Sequence, residues 1–90
     1  ELDLLKRTVF RATQAIELQP REFRLLEYLM RHSNEVVTRT MLLEHVWEFH
    51  FDPHSNVVET HISRLRSKID KPFAEALLRT RRGEGYVFGR

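Results

Sequence analysis

Four short polar side chains and one arginine share a face between residues 55 and 69. At about 100° per residue, Asn56, Thr60, Ser63 and Ser67 point one way, with Arg64 beside them. Val58, Ile62, Leu65 and Ile69 recur at i, i+4, i+7 and i+11 and form the opposite, apolar stripe. The polar face pairs hydroxyl and amide groups on short stems with one planar, five-donor cation. An ordinary solvated helix face carries more Glu and Lys. Small hydrogen-bonding residues suit a helix that approaches another surface closely, as a helix reading base edges in a major groove must. The stretch alone leaves that reading and a plain surface helix both open.

Other groups that could do chemistry are fewer. His45, His50, His54 and His61, with Asp52, invite a metal reading. Their spacing does not place them on one helical face, and no compact ligand motif such as His-Glu-x-x-His occurs, so no metal is expected. Gly83 and Gly85 flank Glu84 with no helix after them, which reads as a hairpin turn and not a phosphate loop. No Ser/His/Asp arrangement can be argued from spacing. The chain contains no Cys, so a thiol nucleophile, a thiolate metal site and a disulfide framework are absent. Neither catalysis nor a cofactor is expected.

The elements that must position these groups come from a chain of 90 residues, enough for one domain spanning 1–90. The 41% hydrophobic and 31% charged fractions are those of a folded globular chain. No apolar run approaches the roughly 18 residues of a membrane span, and no signal-peptide pattern is present. With no Cys, this fits a cytoplasmic setting. The first residue is Glu1, so a fragment of a longer protein is expected. The net charge of +2 hides an uneven distribution. Residues 1–53 carry seven basic and nine acidic side chains, whereas 54–90 carry eight and four. A basic C-terminal third is the expected footprint of phosphate contacts.

In chain order, 2–5, 8–11 and 14–18 read as short strands of a small antiparallel sheet, with turns at Lys6-Arg7 and Ala12-Thr13. A first helix starts at Gln19-Pro20, with Pro20 at its first position and Glu22 placed to reach back to the cap. It buries Phe23, Leu26, Leu29 and Met30, widened by Leu25 and Tyr28, and fades near 32–34. Val36-Val37 is extended. Thr38 caps a second helix carrying Leu42, Leu43, Val46 and Trp47, and Trp47 is expected to pack under the third helix. A loop follows over 48–54. Asn56 and Glu59 have capping-box spacing at the start of the third helix, which Asp70-Lys71-Pro72 ends. Leu78–Arg81 and Tyr86–Phe88 form a hairpin around Arg82-Gly83-Glu84-Gly85, with three arginines (Arg79, Arg81 and Arg82) near its tip.

Three helices, the last with a polar face, followed by a basic hairpin are the plan of an α+β winged helix-turn-helix. The chain resembles the C-terminal effector domain of OmpR/PhoB-type response regulators of two-component systems. The resemblance rests on Leu18-Gln19-Pro20-Arg21-Glu22-Phe23-Arg24-Leu25-Leu26, on Val37-Thr38-Arg39 with Leu42-Leu43-Glu44-His45-Val46-Trp47, and on Asn56 through Ile69. It ends with Thr80-Arg81-Arg82-Gly83-Glu84-Gly85-Tyr86. It covers nearly the whole chain in order. The resemblance implies a four-stranded N-terminal sheet, an upstream phosphorylatable receiver domain, and binding of double-stranded DNA in transcription control.

Carried over residue by residue, the resemblance makes Arg64 the main base reader and places Thr60 and Ser63 against bases or sugar-phosphate. Asn56 falls at the groove edge, with His61 and Arg66 near phosphates and Ser67 on the same face. Thr80 and Arg82 would be hairpin contacts, Arg82 entering the minor groove. Arg81, a residue of this sequence and not of the family pattern, is a further DNA-binding candidate that either adds charge to the hairpin or pairs with a neighbour. Other readings stand beside these: a salt bridge within the helix for Arg66, half-buried packing for His61, and a plain surface position for Thr60. The sequence departs from the family pattern at Ser63, where a second Arg is common, and at Arg81, where Val is common. Glu84 adds negative charge at the tip, and Gln19 replaces a Thr cap. The family also implies a contact with RNA polymerase through the loop Glu48, Phe49, His50, Phe51 and Asp52. Phe49 and Phe51 either form an exposed apolar patch there or tuck into the core. It further implies direct-repeat half-sites, with the isolated domain monomeric and the full protein dimeric on DNA. The alternative is a winged helix that binds a partner protein and no DNA.

Overall fold

The computed structural model describes residues 2–3, 8–73 and 75–89, with the side chains of 2, 3 and 8 left aside. Along the chain run β1 (Leu2–Asp3), β2 (Thr8–Arg11), β3 (Gln14–Glu17), α1 (Pro20–Arg31), α2 (Arg39–His45), α3 (Val57–Ile69), β4 (Leu78–Arg81) and β5 (Gly85–Phe88). The first three strands form an antiparallel sheet in the order β1-β2-β3, and β4 and β5 form a separate hairpin. This is the expected winged helix-turn-helix. Where the family implies four N-terminal strands, the described residues hold three. The expected turn at Lys6-Arg7 and the end of the 2–5 strand lie outside the described residues.

The periodicities explain the layers. Phe23, Leu25, Leu26 and Leu29 of α1, Leu42 and Leu43 of α2, and Val58, Ile62, Leu65 and Ile69 of α3 converge in one core. Val9 and Ile16 close it from the sheet, and Leu78 and Tyr86 from the hairpin. Leu25 is fully buried, whereas Met30 only packs against the core from its edge. This shifts the inward stripe of α1 toward its Leu25 side.

Caps set where the helices begin. Glu22 Oε1 accepts from the Gln19 backbone N–H at 2.8 Å, and Thr38 Oγ1 accepts from the Met41 N–H at 3.1 Å. The box expected between Asn56 and Glu59 does not form. The Asn56 side chain makes no cap bond, and Glu59 turns to Arg39 at 3.0 Å. A charged partner within reach outcompetes a backbone N–H that water can also satisfy.

Val37 joins the connection between α1 and α2 to the hairpin. Its N–H donates to Tyr86 O at 2.8 Å, and Tyr86 N–H donates to Val37 O at 2.9 Å. Gly85, expected in the turn, instead pairs with Arg81 as the first residue of β5. Its φ is +147°, and a Cβ there would fall 2.2 Å from the Val37 carbonyl oxygen. Only glycine lets the hairpin lie this close to the helical layer.

Candidate nucleic-acid interface

With its apolar stripe buried, α3 turns Ser63, Arg64 and Ser67 outward, all exposed. Thr60 is half-buried on the same face, and Asn56 is exposed at its start. Ser67 Oγ donates to the Ser63 carbonyl at 3.1 Å, leaving the hydroxyl oxygen free to accept. Arg64 has no side-chain partner among the described residues. The face is therefore short, polar and open around one uncommitted guanidinium.

Arg66 sits differently. Its Nε donates to Leu78 O at 3.1 Å, and its Nη2 donates to Thr80 Oγ1. It fastens α3 to β4 and, among the described residues, pairs with no acid of its own helix. Thr80 is thereby partly spent on Arg66. His61 Nδ1 lies 2.8 Å from Val57 O, and its ring meets Trp47 edge-on with centroids 5.1 Å apart. Trp47 packs where expected, beneath α3 and 8% exposed. Both His61 and Arg66 are half-buried.

On the hairpin, Arg81 Nη2 lies 3.4 Å from Glu84 Oε2, with both side chains largely exposed. The unusual arginine and the unusual acid thus pair with each other. Arg82 stands at the turn beside Gly83, exposed and without a partner among the described residues.

The loop between α2 and α3 divides the two phenylalanines. Phe49 packs against the core and Phe51 is 66% exposed. Their rings stack at 5.4 Å. Glu48, His50 and Asp52 are exposed. An open cleft of about 230 Å³ lies among Thr40, Leu43, Glu44 and this loop.

The sequence reading passed over the arginines that hold this surface in place. Arg39, at the start of α2, donates from Nη1 to Asp52 Oδ1 and from Nε to Glu59 Oε2, both at 3.0 Å, and from Nη2 to Ser55 O. Asp52 also accepts from the His54 N–H at 2.8 Å. That bond first, and Arg39 second, hold its carboxyl below the usual range. Arg11 reaches from β2 to Asp70 Oδ1 at 2.8 Å and lies over the Phe73 ring at 4.5 Å. The one available signal was an arginine at a strand end facing a lone acid just past a helix, and spacing does not pair them. The histidines are dispersed: His45 stacks on Tyr28 at 5.4 Å, whereas His61 meets Trp47 edge-on. Among the described residues no three His, Asp or Glu side chains gather as a metal would need.

A helix-turn-helix whose third helix shows a polar face, flanked by a basic hairpin, defines a winged-helix domain. Residues 13–88 match the family model "Transcriptional regulatory protein, C terminal". The chain belongs to this family, the effector domains of OmpR/PhoB-type response regulators, which regulate transcription by binding DNA. It is 41% identical over 86 residues to the transcriptional regulatory protein CusR of Escherichia coli K12, covering 96% of this chain and 38% of CusR. The E. coli protein PcoR is 42% identical, with the same coverage. The chain therefore spans about two fifths of these relatives. Among solved structures, the Klebsiella pneumoniae RstA DNA-binding domain in complex with the RstA box aligns with a TM-score of 0.84 at 27% identity, over 98% of this chain and 88% of that one. The E. coli CpxR DNA-binding domain aligns at 0.81 and 32%, over 97% and 86%.

Proposed function

We propose that this domain binds double-stranded DNA sequence-specifically, with α3 in the major groove and the hairpin against the adjacent minor groove. One observation carries the reading. Internal partners absorb Arg11, Arg21, Arg24, Arg31, Arg39, Arg66, Lys68 and Arg81. Among the described residues, the cations left over are Arg64, Lys71, Arg79 and Arg82, all in the C-terminal third. Unspent charge gathers on α3, just past it and on the hairpin, where a phosphate backbone would need it.

In this arrangement Arg64 reads a base, with a fork that matches the two acceptors of guanine. Asn56, Thr60, Ser63 and Ser67 make short-range contacts along the groove. Arg82 enters the minor groove, and Arg81 joins it when Glu84 yields. His61 and Arg66 act mainly by holding α3 against Trp47 and β4. The exposed Phe51, stacked on Phe49, supports a second contact through 48–52 to RNA polymerase. The domain acts as the non-catalytic output of a cytoplasmic response regulator with a receiver domain upstream. It is monomeric alone, and the full protein pairs on direct-repeat half-sites.

Arg64→Ala is expected to cost about 1–3 kcal/mol and to relax preference at one base pair. Binding-site selection from a random duplex library, run on both proteins, checks this. An equal loss on every sequence would move Arg64 to phosphate duty. No retention of any duplex at low salt would favour a winged helix that binds only protein.

A further inference from the structure

Beside the groove-facing side of α3, an open cleft of about 590 Å³ runs between the last turns of that helix and β4. Ser63 and Ser67 stand a turn apart on its helical wall, with Lys71 a turn beyond, and Arg79 lines the strand side. Phe73 and Leu78 supply apolar surface. Among the described residues, the one acid lining it is Asp70, which is 8% exposed. Asp70 Oδ1 accepts from Arg11 and from the Leu77 N–H, and its Oδ2 accepts from the Leu78 N–H at 3.0 Å. Its charge is thus answered from the far side by Arg11.

Lys71 and Arg79 are both exposed and have no side-chain partner among the described residues. A lysine just past a helix can serve only to balance the helix C-terminus. A second free cation across the cleft, on an unrelated strand, is not explained that way. The cleft is positive, with hydroxyls on one wall and apolar surface beneath, which matches a sugar-phosphate chain. It shares Ser63 and Ser67 with the outer face of α3, so a strand lying along that helix runs into it.

We propose that this cleft grips the backbone of one DNA strand beside the bases that α3 reads, with Lys71 and Arg79 each on a phosphate. The proposal rests on the DNA-binding reading above and extends its footprint past the helix and the hairpin tip.

The test compares wild type, Lys71→Ala/Arg79→Ala and Arg82→Ala by fluorescence anisotropy across a salt series. The probes are a duplex selected by this domain from a random library and an unrelated duplex of equal length. The double variant is expected to flatten the dependence of log K on log salt by about two units, at roughly 0.9 per phosphate, equally on both duplexes. Its thermal midpoint should be unchanged. Lys71→Gln/Arg79→Gln, which keeps the side-chain bulk, should flatten the slope equally. A wild-type slope in both double variants, with a reduced one in Arg82→Ala, would overturn the cleft while leaving the DNA reading intact. Failure of the wild-type domain to select any duplex from the library, together with no binding of the unrelated duplex at low salt, would overturn both.

Discussion

The two ends of α3 are fastened by different physics. Its C-terminal half is tied by carboxylates taken out of water. Asp70 joins β2, α3 and the start of β4, and Glu22 of α1, 2% exposed, meets Lys68 at 2.5 Å. Its N-terminal end is tied at the surface, where Arg39 gathers Asp52, Glu59 and the Ser55 carbonyl. A buried carboxylate stripped of its partners leaves a desolvated charge and orphaned donors. A surface arginine stripped of its partners loses little, because water takes over. The fold is thus anchored at the end of α3 beside the hairpin and only steadied at the end beside the 48–54 loop.

Asp70→Ala should break this contrast hardest. It leaves Arg11 half-buried with neutral partners only, the Ile69 and Glu75 carbonyls and the Phe73 ring, and removes the acceptor of the Leu77 and Leu78 N–H groups. Breaking a buried pair costs about 3–5 kcal/mol, a large part of a small domain's stability. Urea denaturation with circular dichroism would read it. A loss below about 1 kcal/mol would mean the two ends are held alike.

Glu22 tests the same end through pH. Burial, the largest influence on its carboxyl, pushes the pKa up. The Lys68 hydrogen bond, the Gln19 N–H and the charges of Lys68 and His61 outweigh it, so the net shift is downward. A lowered folded value means the unfolded chain takes up the proton first. The stabilisation is therefore present above the usual glutamate range and is lost as pH falls through the folded value. Glu22→Gln should cost about 1.5–3 kcal/mol at neutral pH, as loss of a charged hydrogen bond does. The gap from wild type should narrow in acid. A gap constant from neutral pH into acid would show that the pair contributes by packing and not by charge.

What could be read in advance follows the range of each interaction. The helices were legible because the burial of Leu26, Leu29, Ile62 and Leu65 is periodic, and the hairpin because Gly83 and Gly85 punctuate it. The outward row of Asn56, Thr60, Ser63, Arg64 and Ser67 was legible for the same reason. Arg66 was not, since what occupies it, Leu78 and Thr80, lies on another element. For His61 the sequence left half-buried packing and a phosphate contact both open, because Trp47, which its ring meets, lies outside α3. The Asn56–Glu59 box failed on the same ground: Arg39, 20 residues upstream of Glu59, is invisible to a four-residue motif. Sorting cations into spent and unspent needs all of these pairings at once, and so became possible only with the fold.

The smallest effect belongs to Arg39, and it sharpens the contrast most finely. Arg39→Ala should change global stability by no more than about 1 kcal/mol, the usual range for exposed ion pairs. Its local effect should be larger, because Asp52, Ser55 and Glu59 lose their common partner together. Amide hydrogen exchange should quicken over 50–59 and stay unchanged over 65–69, where α3 is held by Asp70 and Lys68. Added salt should quicken the same amides in wild type, since these pairs are open to screening. Equal acceleration along the whole of α3 would show that Arg39 supports the helix as a unit, and the division between its two ends would not stand.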